Sequence, residues 1–556
     1  MSPFVRAGLL IMLLSTACVR AGFDPTAADA ADTADTAAAD SSDAAEDATL
    51  LVHLQGYGVV IVAPSNTVCL TDCTVSLLSG TPVTLTPIAL GGRHFAGWSG
   101  ACSNVDSCSL LIGAGSQSVT ARFEYRTDKF LPTMVVKYGS PNSGVQSAAT
   151  TARFDLLLTT TNHNQVWSTD TLNSWHMLKS LNPDMVILLE TFSPNFYDTN
   201  DWHSIGLGWD WMKANHGIGS VDRWIEVGET TGDYLTVQGS STTYAMRLGS
   251  EAWRTYWHTS HYDGLWGGMA PQAGADGLYA YDIGCHPGNW YTEGTSTPDL
   301  RADYTSVTGH NSAAWEQDMK QLYAEVIPAL GSKGLVLTTG VESTSCFETI
   351  DNLPVPPFGM SCAFTTLYGE GSYTIGAWSD EVARLRDVKN MVMLCNNPNT
   401  VATGSGLAKM DVVATAGNMG PTTGWQALWF GMTSFLLAMN SERSNGFFGF
   451  SVWENAYYHF FDEFDAKHLH LGDPQGPAVQ VGLLHLREYT DGWVVVNPSD
   501  EAVSGGEVPS GRVRVLNHEN LLTTESASLV TSFDLGAFRG AILLKEGRQA
   551  GDEDNP

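Results

Sequence analysis

The chain has 556 residues, 43% of them hydrophobic and 16% charged, too long for one hydrophobic core and too apolar for a disordered protein. A formal net charge of -31 argues against a nucleic-acid partner, because phosphates would be repelled, and favours neutral or cationic ligands. Roughly two to four domains are expected.

At the N-terminus, Arg6 precedes an apolar run from Ala7 to Leu14, followed by Ser15, Thr16, Ala17 and Cys18. The run is too short for a mature membrane span and has the flanks of an export signal. It resembles a bacterial lipobox with Cys18 as the acylated residue, although Leu14 stands one place early and Ser15 takes its position. The resemblance implies a lipoprotein signal peptide over 1–18 and a membrane partner reached through a lipid anchor on Cys18. The protein would then be exported and anchored at the bacterial cell envelope or surface. Export favours disulfides among the cysteines that remain: Cys69, Cys73, Cys102, Cys108, Cys285, Cys346, Cys362 and Cys395. The close spacing of the first four also has a zinc reading, which an exported chain disfavours. Cys346 and Cys362 bracket a Pro-rich loop and are placed to staple it.

Residues 19–48 are almost entirely Ala, Asp, Thr and Ser, which predicts a disordered tether. Residues 49–126 read as a small all-β domain, strand-rich and punctuated by Gly and Pro. The Gly56-Tyr57-Gly58 turn, Cys69 and Cys73, the run Phe95-Ala96-Gly97-Trp98-Ser99-Gly100 and the closing Ala121-Arg122-Phe123 are similar to the divergent internalin-type B-repeat. That likeness implies a spacer or adhesive module, with Trp98 in its core.

From 152 onward strand-like and helix-like segments alternate, the signature of an α/β architecture with a parallel sheet. Strands are expected at 152–159, 184–190, 277–282, 334–340, 363–369, 390–396 and 446–454, with a third around RWIEVG or YLTVQ. Helices are expected at TLNSWHMLKSLNP, SAAWEQDMKQLYAEVIPAL, SDEVARLRDV (opened by Asp380 and Glu381) and GWQALWFGMTSFLLAMN. Together they predict a (β/α)8 TIM barrel over 127–470. A C-terminal β-sandwich over 471–546, with a hairpin turn at Asp491-Gly492, and an acidic tail over 547–556 complete the chain.

The chemistry is expected at strand tips. GADGLYAYDIG (274–284) is a short apolar run ending on Asp282, and AFTTLYGEG (363–371) ends on Glu370. Two carboxylates at two barrel-strand tips are the minimum equipment for hydrolysing a glycosidic bond. Glu190 and Glu454 end other expected strands and Glu342 follows one; each is a candidate to orient a sugar or to take the place of Glu370, whereas Asp276 turns the chain into the fourth strand. Trp290 and Trp453, with Trp202, Trp209, Trp211, Trp266 and Tyr291, offer faces for sugar stacking. Tyr368 and Tyr373 flank Glu370. His468 and His470 are expected to be structural rather than metal ligands.

Trp253-Arg254-Thr255-Tyr256-Trp257, the Asp276-Gly277…Asp282 strand, LGDPQG (471–476) and the run Arg487, Tyr489, Gly492, Val494, Val496, Asn497, Pro498 resemble barrel-fold glycoside hydrolases. These include families named by analogy with polygalactosaminidases and α-galactosidases. The chain departs in its long third unit and at its fifth strand, where Thr338-Thr339-Gly340 replaces a frequent Asn ending. The resemblance implies Asp282 as nucleophile, Glu370 as acid/base, a polysaccharide substrate and no cofactor. Retaining and inverting courses both stay open. The alternative is a non-catalytic glycan-binding surface lipoprotein, or an adhesin, with a degenerate barrel.

Overall fold

The computed structural model describes residues 47–551 except 66, 91–92, 104–107, 127, 138–147, 160–168, 193–194, 198–208, 228–232, 238–242, 258–273, 282–290, 294–316, 319, 323, 326–334, 340–357, 362–374, 388–390, 397–405, 416–418, 440–445, 454–456 and 523–526. The expected signal peptide, Cys18 and nearly all of the expected tether lie outside these residues.

The first described segment folds as two four-stranded sheets. One orders Cys73–Leu78, Asp47–Gln55, Gly115–Tyr125 and Arg93–Gly100; the other orders Thr67–Cys69, Gly58–Ala63, Pro82–Ala89 and Cys108–Leu111. Alternation along the strands puts Leu50, Val52, Val60, Val62, Val83, Leu85 and Val119 inside, and Trp98 is buried with them. Disulfides join Cys69 to Cys73 and Cys102 to Cys108. The Gly-Tyr-Gly turn has a steric cause: a Cβ on Gly56, whose φ is +88°, would lie 2.0 Å from the Phe123 carbonyl oxygen. One on Gly58 would lie 2.5 Å from the Phe123 ring.

The central element is a nine-stranded sheet. Its parallel strands are, in chain order, Met134–Lys137, Leu156–Thr159, Val186–Phe192, Gly277–Tyr281, Leu335–Thr339, Phe358–Ser361, Met391–Asn396 and Gly446–Trp453. Tyr457–Tyr458 adds an antiparallel edge to the last of them. Thr133 forms a parallel bridge with Phe448, and the Phe448 N–H donates to the Pro132 carbonyl at 2.9 Å, so the first and last parallel strands meet.

This order corrects three expectations. The run at 156–159 is the second parallel strand, because Met134–Lys137 precedes it, and the strand carrying Glu190 is therefore the third. The RWIEVG and YLTVQ segments are not parallel strands. Leu235–Val237 belongs to a small antiparallel sheet with Asn195–Tyr197, Thr243–Ala245 and Tyr291–Glu293, built from the chain that follows the third and fourth strands. Polar Thr236 interrupts the YLTVQ segment, whereas a parallel strand buried on both faces reads as a continuous apolar run such as Leu156–Leu158. The sixth position is taken by Phe358–Ser361 instead of 363–369, which lies outside the described residues. That strand starts directly after Pro356-Pro357, residues that have no N–H to donate to a ladder.

Helices Thr169–Leu181, Trp209–His216, Glu251–Trp257, Ile375–Asp387 and Gly424–Ala438 lie between successive parallel strands. Asp380 and Glu381 do not open their helix, which begins at Ile375; the first turn is extended so that Trp378 is buried and its Nε1–H donates to Ser434 Oγ at 2.9 Å. Gly424–Ala438 is apolar nearly all round and starts with a capping box between Thr423 and Gln426. It packs against the eighth strand on one side and the C-terminal sheet on the other.

That C-terminal sheet is five-stranded and antiparallel, ordered Val479–Val481, Leu484–Glu488, Gly492–Asn497, Arg539–Lys545 and Val513–Leu516, with Val503–Glu507 and Ser532–Leu535 paired beside it. The expected turn at Asp491-Gly492 joins its second and third strands. The run read as a family motif is its docking device. Arg487 Nη1 donates to the Leu436 and Leu437 carbonyls at 3.0 and 3.2 Å and also to that of Met439, and Tyr489 Oη donates to Leu436 at 2.7 Å. These side chains satisfy carbonyls that the helix end leaves open.

Candidate functional site

Acids at the two ends of the parallel strands differ in what surrounds them. At the N-terminal ends, Asp155 precedes the second strand and Asp276 the fourth. Asp155 Oδ1 lies 2.6 Å from Lys129 Nζ, and its Oδ2 accepts from the Thr133 N–H at 2.7 Å. Burial pushes the Lys129 ammonium below the ordinary lysine range, against the pull of Asp155. Asp276 Oδ2 lies 2.6 Å from Lys179 Nζ and accepts from the Ile187 N–H at 2.8 Å. Both acids are therefore spent on tying elements together; Asp276, expected only to turn the chain into the fourth strand, also binds Lys179 and the third strand.

In sequence the expected catalytic positions come after the fourth and sixth strands, Asp282 at once and Glu370 nine residues beyond Ser361. The fourth strand ends at Tyr281, so Asp282 is the next residue in the chain, outside the described residues. Glu370, Glu342, Trp290, Tyr368 and Glu454 also lie outside them. Glu190 does not end its strand; it sits in register with Tyr279, two places before the end at Phe192. Trp453 is the last residue of the eighth strand and pairs with Tyr457. Two places earlier, Ser451 is fully buried, and its Oγ has no hydrogen-bond partner among the described residues. A buried orphan hydroxyl near a strand tip is a polar group held ready for water or ligand.

The Trp253–Trp257 motif has a packing explanation. Trp253 and Trp257 are buried, and Arg254 Nε donates to Glu325 Oε2 at 2.6 Å while its Nη1 donates to the Leu248 carbonyl at 2.9 Å. The motif also borders a feature that sequence reasoning missed. Between the third and fourth strands, Val221, Arg223, Trp224, Arg247, Glu251 and Tyr256 help to line a cleft of about 720 Å³. Trp224 is stacked on His216 at 3.5 Å, lies 5.0 Å from Tyr256 and 6.5 Å from Trp211, and donates from Nε1 to Asp222 Oδ2 at 3.1 Å. Trp211, among the expected stacking residues, is 45% exposed. The available signal was Arg223 and Arg247 beside aromatics in a chain with 28 basic and 59 acidic residues.

Among the described residues no cluster of three or more His, Cys, Asp or Glu is arranged to hold a metal ion, and no helix is long and apolar enough to cross a membrane.

Residues 58–127 match the family described as the divergent InlB B-repeat domain, in agreement with the resemblance noted for 49–126. No curated protein matches the chain. Among solved structures it is similar to Eubacterium rectale Amy13B, at 10% identity and a TM-score of 0.40, covering 76% of this chain and 96% of that one. It is also similar to the trehalulose synthase MutB of Pseudomonas mesoacidophila MX-45, at 10% identity and a TM-score of 0.40, covering 74% and 98%. The B-repeat match and the two disulfides fit an extracellular or surface protein.

Proposed function

We propose that the chain is an exported glycoside hydrolase in which residues 127–470 form a (β/α)8 barrel and Asp282 and Glu370 are the reacting carboxylates. The observation that carries this reading is the parallel sheet whose first and last strands meet at Thr133 and Phe448, with Asp282 directly after the last residue of its fourth strand. The C-terminal face is where barrel enzymes work, and the acids at the opposite face are occupied by lysines.

In the reaction, Glu370 gives its proton to the leaving oxygen as the glycosidic C–O bond breaks. Asp282, kept ionised, attacks the anomeric carbon or activates the water that does. Water supplies the hydroxyl on one product and restores the proton to the acid. Tyr368 provides the drier surroundings that hold the Glu370 proton. Glu190, Glu342 and Glu454 orient hydroxyls, and Trp290 and Trp453 stack on sugar faces. The chemistry needs no cofactor. A lipid on Cys18 and the 19–48 tether hold the enzyme at the cell envelope, facing a polysaccharide.

Reducing-sugar release by the mature chain over a polysaccharide panel tests this. Asp282→Asn and Glu370→Gln are each expected to lower release by roughly 10²–10⁴-fold with the unfolding midpoint unchanged. Undiminished release in both variants would move the chemistry to other acids. No release from the wild type, with polymer binding retained, would favour the non-catalytic surface protein.

A further inference from the structure

The cleft in the segment that connects the third and fourth parallel strands has a lining matched to one chemistry. We propose that it binds a sugar unit of a neutral polysaccharide and holds the polymer to the protein independently of hydrolysis. The Arg223 Nε is buried and has no hydrogen-bond partner among the described residues, and the same guanidinium's Nη2 lies 4.0 Å from Glu226 Oε2. The Arg247 guanidinium is half-buried, and among the described residues no hydrogen bond or ion pair engages it. Glu251 is exposed and likewise unengaged. Buried donors without partners are costly in a folded protein and are explained by a ligand that completes them.

The charges of the lining balance: Arg223 and Arg247 against Asp222 and Glu251. An electroneutral cleft gives no net attraction to an acidic or a basic polymer. Paired donors and acceptors suit vicinal hydroxyls, since each hydroxyl donates and accepts. Tyr256, half-exposed beside Trp224, supplies a flat apolar surface for the C–H face of a pyranose. The volume of about 720 Å³ falls in the range of roughly 300–1,000 Å³ typical of small-molecule sites. The inference rests on the reading that the chain handles polysaccharide, but not on Asp282 or Glu370.

Affinity electrophoresis of the mature chain, in an Asp282→Asn background so that the polymer survives, tests it. The gels contain amylose, xyloglucan, galactan or mixed-linkage β-glucan, with polygalacturonate and chitosan as charged comparisons. At least one neutral polymer is expected to retard the chain. Arg247→Ala is expected to weaken that binding about tenfold, with Glu251→Gln, at an exposed position, weakening it in the same direction and an unchanged circular dichroism spectrum for both. Retardation by charged polymers alone, no retardation by any neutral polymer, or variants retarded like their parent would each overturn the proposal. Hydrolysis by the wild type with binding indifferent to Arg247→Ala would sink this inference alone. A wild type without hydrolysis whose binding falls in Arg247→Ala would sink only the enzymatic reading.

Discussion

Asp155 and Lys129 form an ion pair whose side chains are 6% and 4% exposed. Removing one partner of such a pair leaves a charge stranded away from water, which costs about 3–5 kcal/mol. Asp155→Ala is therefore expected to lower the urea-unfolding free energy by about that amount, and to leave any catalysis at the opposite strand ends intact per folded molecule. Asp276→Ala should cost less, because Lys179 keeps 23% of its side chain in solvent. The place of Asp276 was legible in the sequence, before a glycine at the mouth of an apolar run, though its lysine was not. Asp155 was not, since the lysine that defines its role is 26 positions away and nothing local marks the pair.

At the scale of elements, the helix Gly424–Ala438 is held by a neighbour that reads its last carbonyls. Arg487→Ala would leave the Leu437 and Met439 carbonyls without this donor, while Leu436 keeps Tyr489, and a loss of about 2–3 kcal/mol is expected in chemical denaturation. Arg487→Lys should restore little, because an ammonium lacks the fixed fork of donors. The same strand carries a pH dependence at its contact with the helix Ile375–Asp387. His485 packs edge-on against Trp378 at 4.7 Å, and burial lowers its pKa from the usual value. With the folded pKa below the unfolded one near 6.5, the unfolded chain takes up the proton first, so stability falls as pH drops through about 6.5. His485→Gln is expected to flatten that fall in unfolding midpoints compared at about pH 5.5 and 7.5. Long apolar strands and the 424–438 helix were readable from composition, whereas Met134–Lys137 and Phe358–Ser361 were missed. A strand of four residues shows too little periodicity to separate it from a loop, and its identity comes from the neighbours it pairs with.

For the molecule as a whole, the decisive arrangement is where the B-repeat-like module docks. Its Phe95 N–H donates to Asp184 Oδ1 at 3.1 Å, and Arg126 Nη1 donates to Asn182 Oδ1 at 2.9 Å; both partners stand just before the third parallel strand. Val59, Ile88 and Leu90 from the module join the core that contains the parallel sheet. The module therefore covers the N-terminal ends of the strands, and the face proposed for catalysis is at the other end of the same strands. The resemblance implied a spacer, and the docking gives that spacer a fixed attachment. Deleting residues 49–126 would remove those three apolar side chains, expose the core they help to cover, and leave Asn182 and Asp184 short of donors. A lower unfolding midpoint and faster proteolysis of the remaining chain are expected, because burial of each such side chain contributes about 1.5–3 kcal/mol. Turnover per folded molecule should be unchanged, since no residue proposed for catalysis or sugar binding lies in the deleted stretch. The midpoint and the specific activity measured on one preparation separate the two effects. A loss of specific activity with an unchanged midpoint would place the module at the catalytic end and overturn this orientation of function on the fold.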